Sequence, residues 1–161
     1  MSKRIFTQTF GVAGAIIEKG GKVLLVREGE DKVDAGKWNQ PAGWIDVGED
    51  PIESAKREVK EETGLDFEPT GLIGIYSLHR KDMQEKIGAA PHALKFIFRG
   101  KFSGELKHDG KEISELRWFA PEEIEKMELN ELRDFDIKKE VADYFAGKSY
   151  PLEIIRHTMS E

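Results

Sequence analysis

The 161-residue sequence contains no cysteine. This absence excludes a disulfide framework, a thiolate metal site and a cysteine nucleophile, and it is compatible with a reducing cytoplasm. The sequence also lacks an apolar run long enough to cross a bilayer. Its first residues, MSKRIFTQTFGVAG, lack the sustained apolar stretch of a signal peptide. We therefore expect a cytoplasmic protein with no membrane partner.

The sequence has fewer basic than acidic residues. The chain has 25 Lys and Arg residues against 31 Asp and Glu residues, a net charge of −6. Such a balance argues against a general nucleic-acid-binding surface, so we expect no nucleic-acid partner. The length suits a single domain with one hydrophobic core, which we place at residues 5–155, followed by a polar tail at 156–161. We expect a monomer or a homodimer.

Short apolar runs predict strands, and glycines mark turns between them. Residues 9–18 and 22–27 flank Gly20 and Gly21 and predict a hairpin. Further strand-like runs lie at residues 72–78, 93–102 and 116–119. Beyond them, a short helix is expected after Ala120 and a longer one from a cap at Asn130 to Gly147. The pattern predicts an α/β domain with a mixed β-sheet core sandwiched between helices.

The stretch from Asp50 to Gly64 carries signals for both ends of a helix. Asp50 can accept hydrogen bonds from free backbone N–H groups, and Pro51 has the backbone angle of a first helical position. Gly64 can adopt the left-handed conformation that ends many helices. The sequence therefore predicts a helix over residues 51–63.

This predicted helix is acidic on one face. Glu58, Glu61 and Glu62 are spaced i, i+3 and i+4, so their side chains are neighbours and repel one another. A solvated acidic surface is one explanation. The other is a bound Mg²⁺, which prefers carboxylate oxygens and is commonly shared with substrate phosphates. Such an ion would also allow an acidic protein to accept an anionic substrate.

The spacing around the helix matches a family motif. Gly43, five residues, Glu49, seven residues and then REVKEETGL at 57–65 resemble the Nudix box, which here spans residues 43–65. The resemblance implies the Nudix fold, a cofactor of Mg²⁺ or Mn²⁺, and cleavage of a nucleoside diphosphate linked to another group. Many members have Gly-Gly where this chain has Ala42-Gly43, and several subgroups share Pro-Ala-Gly.

The resemblance also implies roles for individual residues. Glu58, Glu61 and Glu62 would ligate the metal together with the backbone carbonyl of Gly43. Arg57 would orient Glu58 through a charge-assisted hydrogen bond.

Two more box positions receive supporting roles. Glu49 would support the loop before the helix, and Gly64 would end the helix without a chemical role. The attacking water would lose its proton to Glu58 or to a downstream carboxylate, for which Glu112 and Glu115 are the candidates.

Substrate recognition is less constrained by the sequence. Asn39 and Gln40 either read the edge of a base or cap a loop, and His79 and Arg80 either face the site or end an exposed strand. The tryptophans at 38, 44 and 118 are expected to pack instead of forming a stacking surface.

Two segments narrow the expected substrate. Residues 38–43 (WNQPAG) and 144–155 (YFAGKSYPLEII) resemble a bacterial phosphatase subgroup of the Nudix family. That resemblance implies a small-molecule phosphoanhydride: a nucleoside di- or triphosphate, or hydroxymethylpyrimidine pyrophosphate. One alternative is an ADP-ribose or other nucleoside-diphosphate pyrophosphatase, although its usual extra N-terminal arm is not evident. The other is a module that senses a nucleotide without hydrolysing it, although such modules usually lose box carboxylates that are all present here.

Overall fold

The computed structural model describes residues 9–160. The strands are β1 Thr9–Ala15, β2 Glu18–Lys19, β3 Lys22–Glu28, β4 Trp38–Asn39, β5 Ala42–Trp44, β6 Asp66–His79, β7 His92–Ser103 and β8 Ile113–Phe119. The α-helices are α1 Pro51–Thr63, α2 Gln84–Ile87, α3 Pro121–Lys126 and α4 Ile137–Phe145. Single 3₁₀ turns cover Lys81–Met83, Leu129–Glu131 and Leu152–Ile154. The expected domain start at residue 5 and the last tail residue lie outside the described residues.

The strands form two sheets. The first has the order β5-β1-β7-β6, in which β1 and β7 are parallel and the other pairs are antiparallel. The second is antiparallel and is organised around β3, which pairs with β2, β4 and β8. The predicted mixed sheet is therefore confirmed, but it is divided into two.

Helices cover the sheets on two sides, as the sequence predicted. The apolar stripe of α1 buries Ala55 and Val59 against Leu24 and Phe98. On the other side, α3 and α4 contribute to a second core cluster that includes Ile124, Ile137, Val141, Ile73 and Ile97. The α/β sandwich thus places the Nudix-box helix against one face and the C-terminal helices against the other. Among residues 9–160, no helix has both the length and the apolar character that a membrane span requires.

The predicted hairpin between residues 9–18 and 22–27 is wrong in its first strand. From this segment, the strand that pairs with β3 is Glu18–Lys19, across a turn in which Gly20 and Gly21 have positive φ angles of 59° and 81°. The Leu24 N–H also donates to the Ile17 carbonyl at 2.9 Å. The strand β1 instead lies in the first sheet beside β5 and β7. The apolar run of β1 extends through Ile16 and Ile17, which are buried where the chain passes from the first sheet to the second. Because apolar and polar residues do not alternate here, the sequence pattern does not show where the chain changes its pairing strand.

The predicted helix over residues 51–63 is confirmed. Asp50 accepts a hydrogen bond from the Ile52 N–H at 2.8 Å, and Pro51 is the first helical residue. Gly64 ends the helix in the left-handed conformation, with φ of 77°.

The predicted long helix capped by Asn130 is wrong in its beginning. Leu129–Glu131 forms only a 3₁₀ turn, and α4 starts after Asp136. Leu132 is extended and completely buried, and the N–H of Arg133 donates to the Trp38 carbonyl at 2.8 Å. The segment around Leu132 therefore pairs with β4 instead of forming the first part of the predicted helix. This pairing brings the segment to the cavity.

Candidate active site

The Nudix-box carboxylates border a cavity of about 460 Å³ between the two sheets and α1. One wall is formed by Gly43 in β5 and by Glu58, Glu61 and Glu62 on α1. The three glutamates are spaced at three and four positions along α1, whose other face is buried in the core. Their side chains therefore lie on the face of the helix that borders the cavity. The local fold therefore brings the predicted metal ligands together.

A single guanidinium organises this wall. Arg57 donates to both carboxylate oxygens of Glu49, at 2.8 and 3.0 Å, and also to Glu58 at 2.7 Å and Glu61 at 3.1 Å. It also donates to the Trp44 carbonyl at 3.0 Å and lies 3.7 Å from the Asp46 carboxylate. The hydrogen bonds from Arg57 lower the pKa of Glu49 to about 2, and the pairing raises the pKa of Arg57. The loop before the helix and the helix itself are thus held together by one ion-pair cluster.

The glycine at position 43 is required by close packing. Its backbone touches Glu58 so closely that a Cβ atom there would overlap the carboxylate of that residue. The backbone φ of Gly43 is not in the left-handed region. The requirement is therefore space beside the carboxylate, which leaves the Gly43 backbone and Glu58 side by side on the cavity wall.

The carboxylates on the wall are electrostatically strained. Burial raises the pKa of Glu58, and Arg57 opposes that rise. Burial raises the pKa of Glu62 well above its usual range, and the charges of Glu28 and Glu58 raise it further. The Ala42 N–H donates to Glu62 at 3.2 Å and is a neutral partner only. The charged forms of Glu58 and Glu62 are therefore disfavoured at this wall, and a cation bound there would favour them.

Sequence reasoning missed Glu28, which lines the same cavity and whose charge acts on Glu62. Its side chain is buried at the end of β3, where Arg133 donates to it at 3.0 Å. Burial raises the pKa of Glu28 despite that partner. The sequence did contain a signal for this residue, because Glu28 ends the largely apolar strand KVLLVRE. An acidic side chain in a buried strand needs a charged partner or a function. Arg133 could not be assigned because its segment was expected to be helical.

Other cations near the cavity are already neutralised. Lys95 on β7 is completely buried, and its ammonium group lies 2.8, 2.7 and 2.6 Å from Asp134, Asp136 and Glu140. Burial alone would lower the pKa of Lys95, but these three carboxylates raise it. Arg80 likewise pairs with Asp82 at 2.8 Å. These side chains therefore add little free positive charge for binding phosphate.

The donor set fits a hard divalent cation. It consists of carboxylate oxygens on one helix face and the backbone of Gly43 beside them. Within residues 9–160, no three His, Asp or Glu side chains already converge as a metal site. Arg57 donates to Glu58 and Glu61, and the Ala42 N–H donates to Glu62. The Glu61 side chain is 55% exposed.

The remaining predicted residues divide into two groups. Asn39, Arg80 and Glu112 line the cavity, whereas Gln40, His79 and Glu115 do not. Asn39 is buried, and its Oδ1 atom accepts no hydrogen bond from the residues that the structure describes. Glu112 lies 3.4 Å from Lys32.

The three residues off this cavity have other surroundings. Gln40 is completely buried, and its amide has no hydrogen-bond partner among residues 9–160. Glu115 pairs with Arg27 at 3.4 Å. His79 borders a neighbouring cavity, where its ring lies 5.6 Å from that of His92. The catalytic and binding roles of all these residues stay predictions.

The tryptophans do not behave alike. Trp38 is buried against Phe119, and Trp118 packs against Phe102, as expected. Trp44 departs from the expectation because 59% of it is exposed.

Comparisons with known proteins agree with this geometry. The NUDIX domain family matches residues 7–141. The chain is 32% identical to Phosphatase NudJ of Escherichia coli strain K12 over 149 residues, which cover 87% of this chain and 86% of that protein. It is 31% identical to a MutT-like protein of Streptomyces ambofaciens over 113 residues, 70% of this chain but only 64% of that relative.

A solved structure supports the same assignment. A NUDIX hydrolase from Nitrosomonas europaea superimposes with a TM-score of 0.79 at 35% identity, covering 93% of this chain and 97% of that one. The family match, the relatives and the box at residues 43–65 agree. The chain therefore belongs to the Nudix family and is a Nudix hydrolase.

Proposed function

We propose that this hydrolase requires Mg²⁺, or Mn²⁺ in its place, and cleaves phosphoanhydride bonds in small nucleoside di- and triphosphates or in a pyrimidine pyrophosphate. The observation that carries the proposal is the Nudix-box wall of the cavity, where Glu58 and Glu62 are buried enough to have raised pKa values and Glu58 lies against the backbone of Gly43. Such a cluster is stabilised by a cation, and a cation in turn attracts phosphate.

The charge distribution supports a cation-dependent mode of binding. Lys95 and Arg80 border the cavity but are already paired with carboxylates, and Arg133 is paired with Glu28. Lys32 also lines the cavity and lies 3.4 Å from Glu112, so each of the four cations that line the cavity has a carboxylate partner. A polyphosphate therefore finds little uncompensated positive charge on the described residues. In the proposal, phosphate binding depends on the metal held by Glu58, Glu61, Glu62 and the Gly43 carbonyl.

The bound cation would supply electrophilic polarisation of the phosphate and would acidify a water molecule. The protein's own groups would then position the reactants and move the proton. Glu58 is held by Arg57 at 2.7 Å, so its carboxylate has a fixed orientation from which it can accept a proton from the attacking water. Glu112 also lines the cavity and is the second candidate for this role. Glu115 faces Arg27 and is the weaker candidate.

The name of one relative supports a phosphatase-like substrate range. The alignment to Phosphatase NudJ covers 87% of this chain and 86% of that protein. An ADP-ribose-type substrate and a nucleotide-sensing role remain the competing outcomes of the experiment.

The test is phosphate release in Mg²⁺, with and without added pyrophosphatase, from a nucleoside triphosphate, a nucleoside diphosphate, hydroxymethylpyrimidine pyrophosphate and ADP-ribose. The proposal predicts direct release of phosphate from at least one of the first three, and no release after chelation. Release only with pyrophosphatase would instead identify a triphosphate pyrophosphohydrolase. Preferred cleavage of ADP-ribose, scored by the appearance of AMP, would replace the proposed substrate class. No turnover of any compound would contradict hydrolysis and favour a sensor.

A further inference from the structure

The cavity has a second, apolar end that none of the metal or phosphate chemistry uses. Phe10, Ala93 and Leu78 occupy paired positions on three adjacent strands, β1, β7 and β6, and all line the cavity. Because directly paired residues point to the same side of a sheet, these three side chains form one continuous floor. The floor is covered in turn by Met83 and Ile87 from the segment between β6 and β7.

Trp44 stands at the edge of this floor. Its ring stacks on Phe10 with centroids 4.8 Å apart and an angle of 10° between the planes. One face of the indole is thus covered while 59% of the residue remains exposed. Ile87 beside it is 47% exposed. Neighbouring exposed apolar side chains at a cavity mouth are characteristic of a binding surface.

The position of Trp44 is tied to the carboxylate wall. The Trp44 carbonyl accepts a hydrogen bond from Arg57 at 3.0 Å, and the same guanidinium holds Glu58 at 2.7 Å. The next residue back along the chain is Gly43, whose backbone lies against Glu58. The backbone that carries the Trp44 ring is therefore anchored to the same guanidinium as the carboxylates, and the ring and the carboxylates line one cavity.

The space beside the ring is large enough for a second ring. A cavity of about 740 Å³ adjoins the first, and the two share Phe10, Trp44, Ile87 and Pro91 as lining residues. A planar heteroaromatic group stacks favourably on an indole face, by about 1–3 kcal/mol for a base on an aromatic side chain. An aliphatic group gains only from the area that it buries.

We propose that Trp44, stacked on Phe10, is the binding platform for a heteroaromatic ring that is attached to the phosphates held at the carboxylate wall. The inference rests on the proposed function, since it names the organic part of the same substrate. A nucleobase and a free pyrimidine share the required chemistry, and the floor of Phe10, Ala93 and Leu78 receives either one.

The first test compares CDP with isopentenyl diphosphate, which has no ring, using KM or an inhibition constant where no turnover occurs. Trp44→Leu raises the constant for CDP about tenfold, leaves kcat within about twofold and leaves the constant for isopentenyl diphosphate unchanged. Trp44→Phe retains most of the affinity for CDP. The control variant Trp118→Phe changes neither constant. The Trp118 ring packs against Phe102, with the ring centroids 6.0 Å apart. Equal effects of Trp44→Leu on both compounds, or no effect on either, would overturn the inference.

The second test does not depend on hydrolysis. In a Glu62→Gln background, CMP quenches tryptophan fluorescence, and the additional change Trp44→Leu removes that quenching and weakens binding about tenfold. A parallel titration with hydroxymethylpyrimidine monophosphate distinguishes a free pyrimidine from a nucleotide. If Trp44-dependent binding occurs but the wild-type protein hydrolyses nothing, the proposed function fails and the platform stands. If hydrolysis occurs without any dependence of binding on Trp44, the platform fails alone.

Discussion

At the scale of single residues, the candidate site depends on Gly43, which packs directly against Glu58. The carboxylate of Glu58 occupies the volume in which a side chain at position 43 would lie. Glu58 is also fixed by Arg57 at 2.7 Å, so it cannot retreat without breaking a charge-assisted hydrogen bond. Space and orientation at this point are therefore coupled.

Gly43→Ala is expected to reduce kcat at least about tenfold, because the added methyl group displaces the Glu58 carboxylate from its position. The measurement is steady-state hydrolysis in Mg²⁺, with circular dichroism to establish that the fold is retained. Gly11→Ala is the matched control in the adjacent strand, where the new methyl group meets only the flexible end of Ile45, at 3.1 Å. Equal activity of Gly43→Ala and wild type would contradict the close packing of this residue with Glu58.

At the scale of elements, the loop before α1 is attached to the helix by the Glu49–Arg57 pair. The two hydrogen bonds of 2.8 and 3.0 Å are bidentate, and the Glu49 side chain is only 17% exposed. The pKa of Glu49 falls from 4.5 to about 2 in the folded protein. Since the folded pKa lies below the unfolded one, this pair stabilises the fold above pH 4.5, and its contribution disappears as the pH falls through 2.

Glu49→Gln should therefore lower the free energy of unfolding by up to about 3 kcal/mol near neutral pH. The difference from wild type should shrink toward zero as the pH approaches 2. Urea denaturation at several pH values between 2 and 7 measures this difference. A difference that stays constant over that range would show that Glu49 does not titrate with a lowered pKa.

The elements also show how much of the fold could be predicted from sequence. The helix α1 was predictable because its caps, Asp50 and Gly64, act locally. The partners of β1 were not, because strand pairing depends on distant residues and a fully apolar run does not identify a face. The same limit applies to residues 130–136, where a helical pattern yields to pairing with β4.

The candidate site follows the same division between local and distant contacts. Glu58, Glu61 and Glu62 could be placed together from their spacing on one helix. Glu28 and Arg133 could not, because 105 positions separate them in the chain. Exposure of Trp44 also depends on how β1, β5 and the segment after β6 assemble, so its sequence position did not distinguish a platform from a packing residue.

At the scale of the whole molecule, the segment between Leu132 and Asp136 connects both sheets with α4. Arg133 binds Glu28 of the second sheet, while Asp134 and Asp136 bind Lys95 of the first. Glu140 on α4 completes the group around Lys95 at 2.6 Å. Buried ion pairs of this kind add little net stability, but removal of one partner is costly because the other charges remain buried.

Lys95→Met should therefore lower the free energy of unfolding by about 3–5 kcal/mol. The double variant Lys95→Met/Glu140→Gln should be less destabilised than the single variant, because one buried carboxylate is neutralised with its partner. The matched control is Lys101→Met, an exposed lysine of the same strand, which should change stability by less than about 0.5 kcal/mol. Equilibrium urea denaturation tests all three variants. A double variant less stable than Lys95→Met would contradict the ionic cluster.

The most direct test of the central claim compares Mg²⁺-dependent hydrolysis by wild type, Glu62→Gln and Glu53→Gln. Glu62 lies on the carboxylate wall, whereas Glu53 is on the same helix with its side chain 63% exposed and paired with Lys56. The account predicts phosphate release by wild type and by Glu53→Gln, loss of about 100-fold or more in Glu62→Gln, and no release by any of them after chelation. Equal rates for wild type and Glu62→Gln, or hydrolysis that survives complete removal of divalent cations, would contradict it.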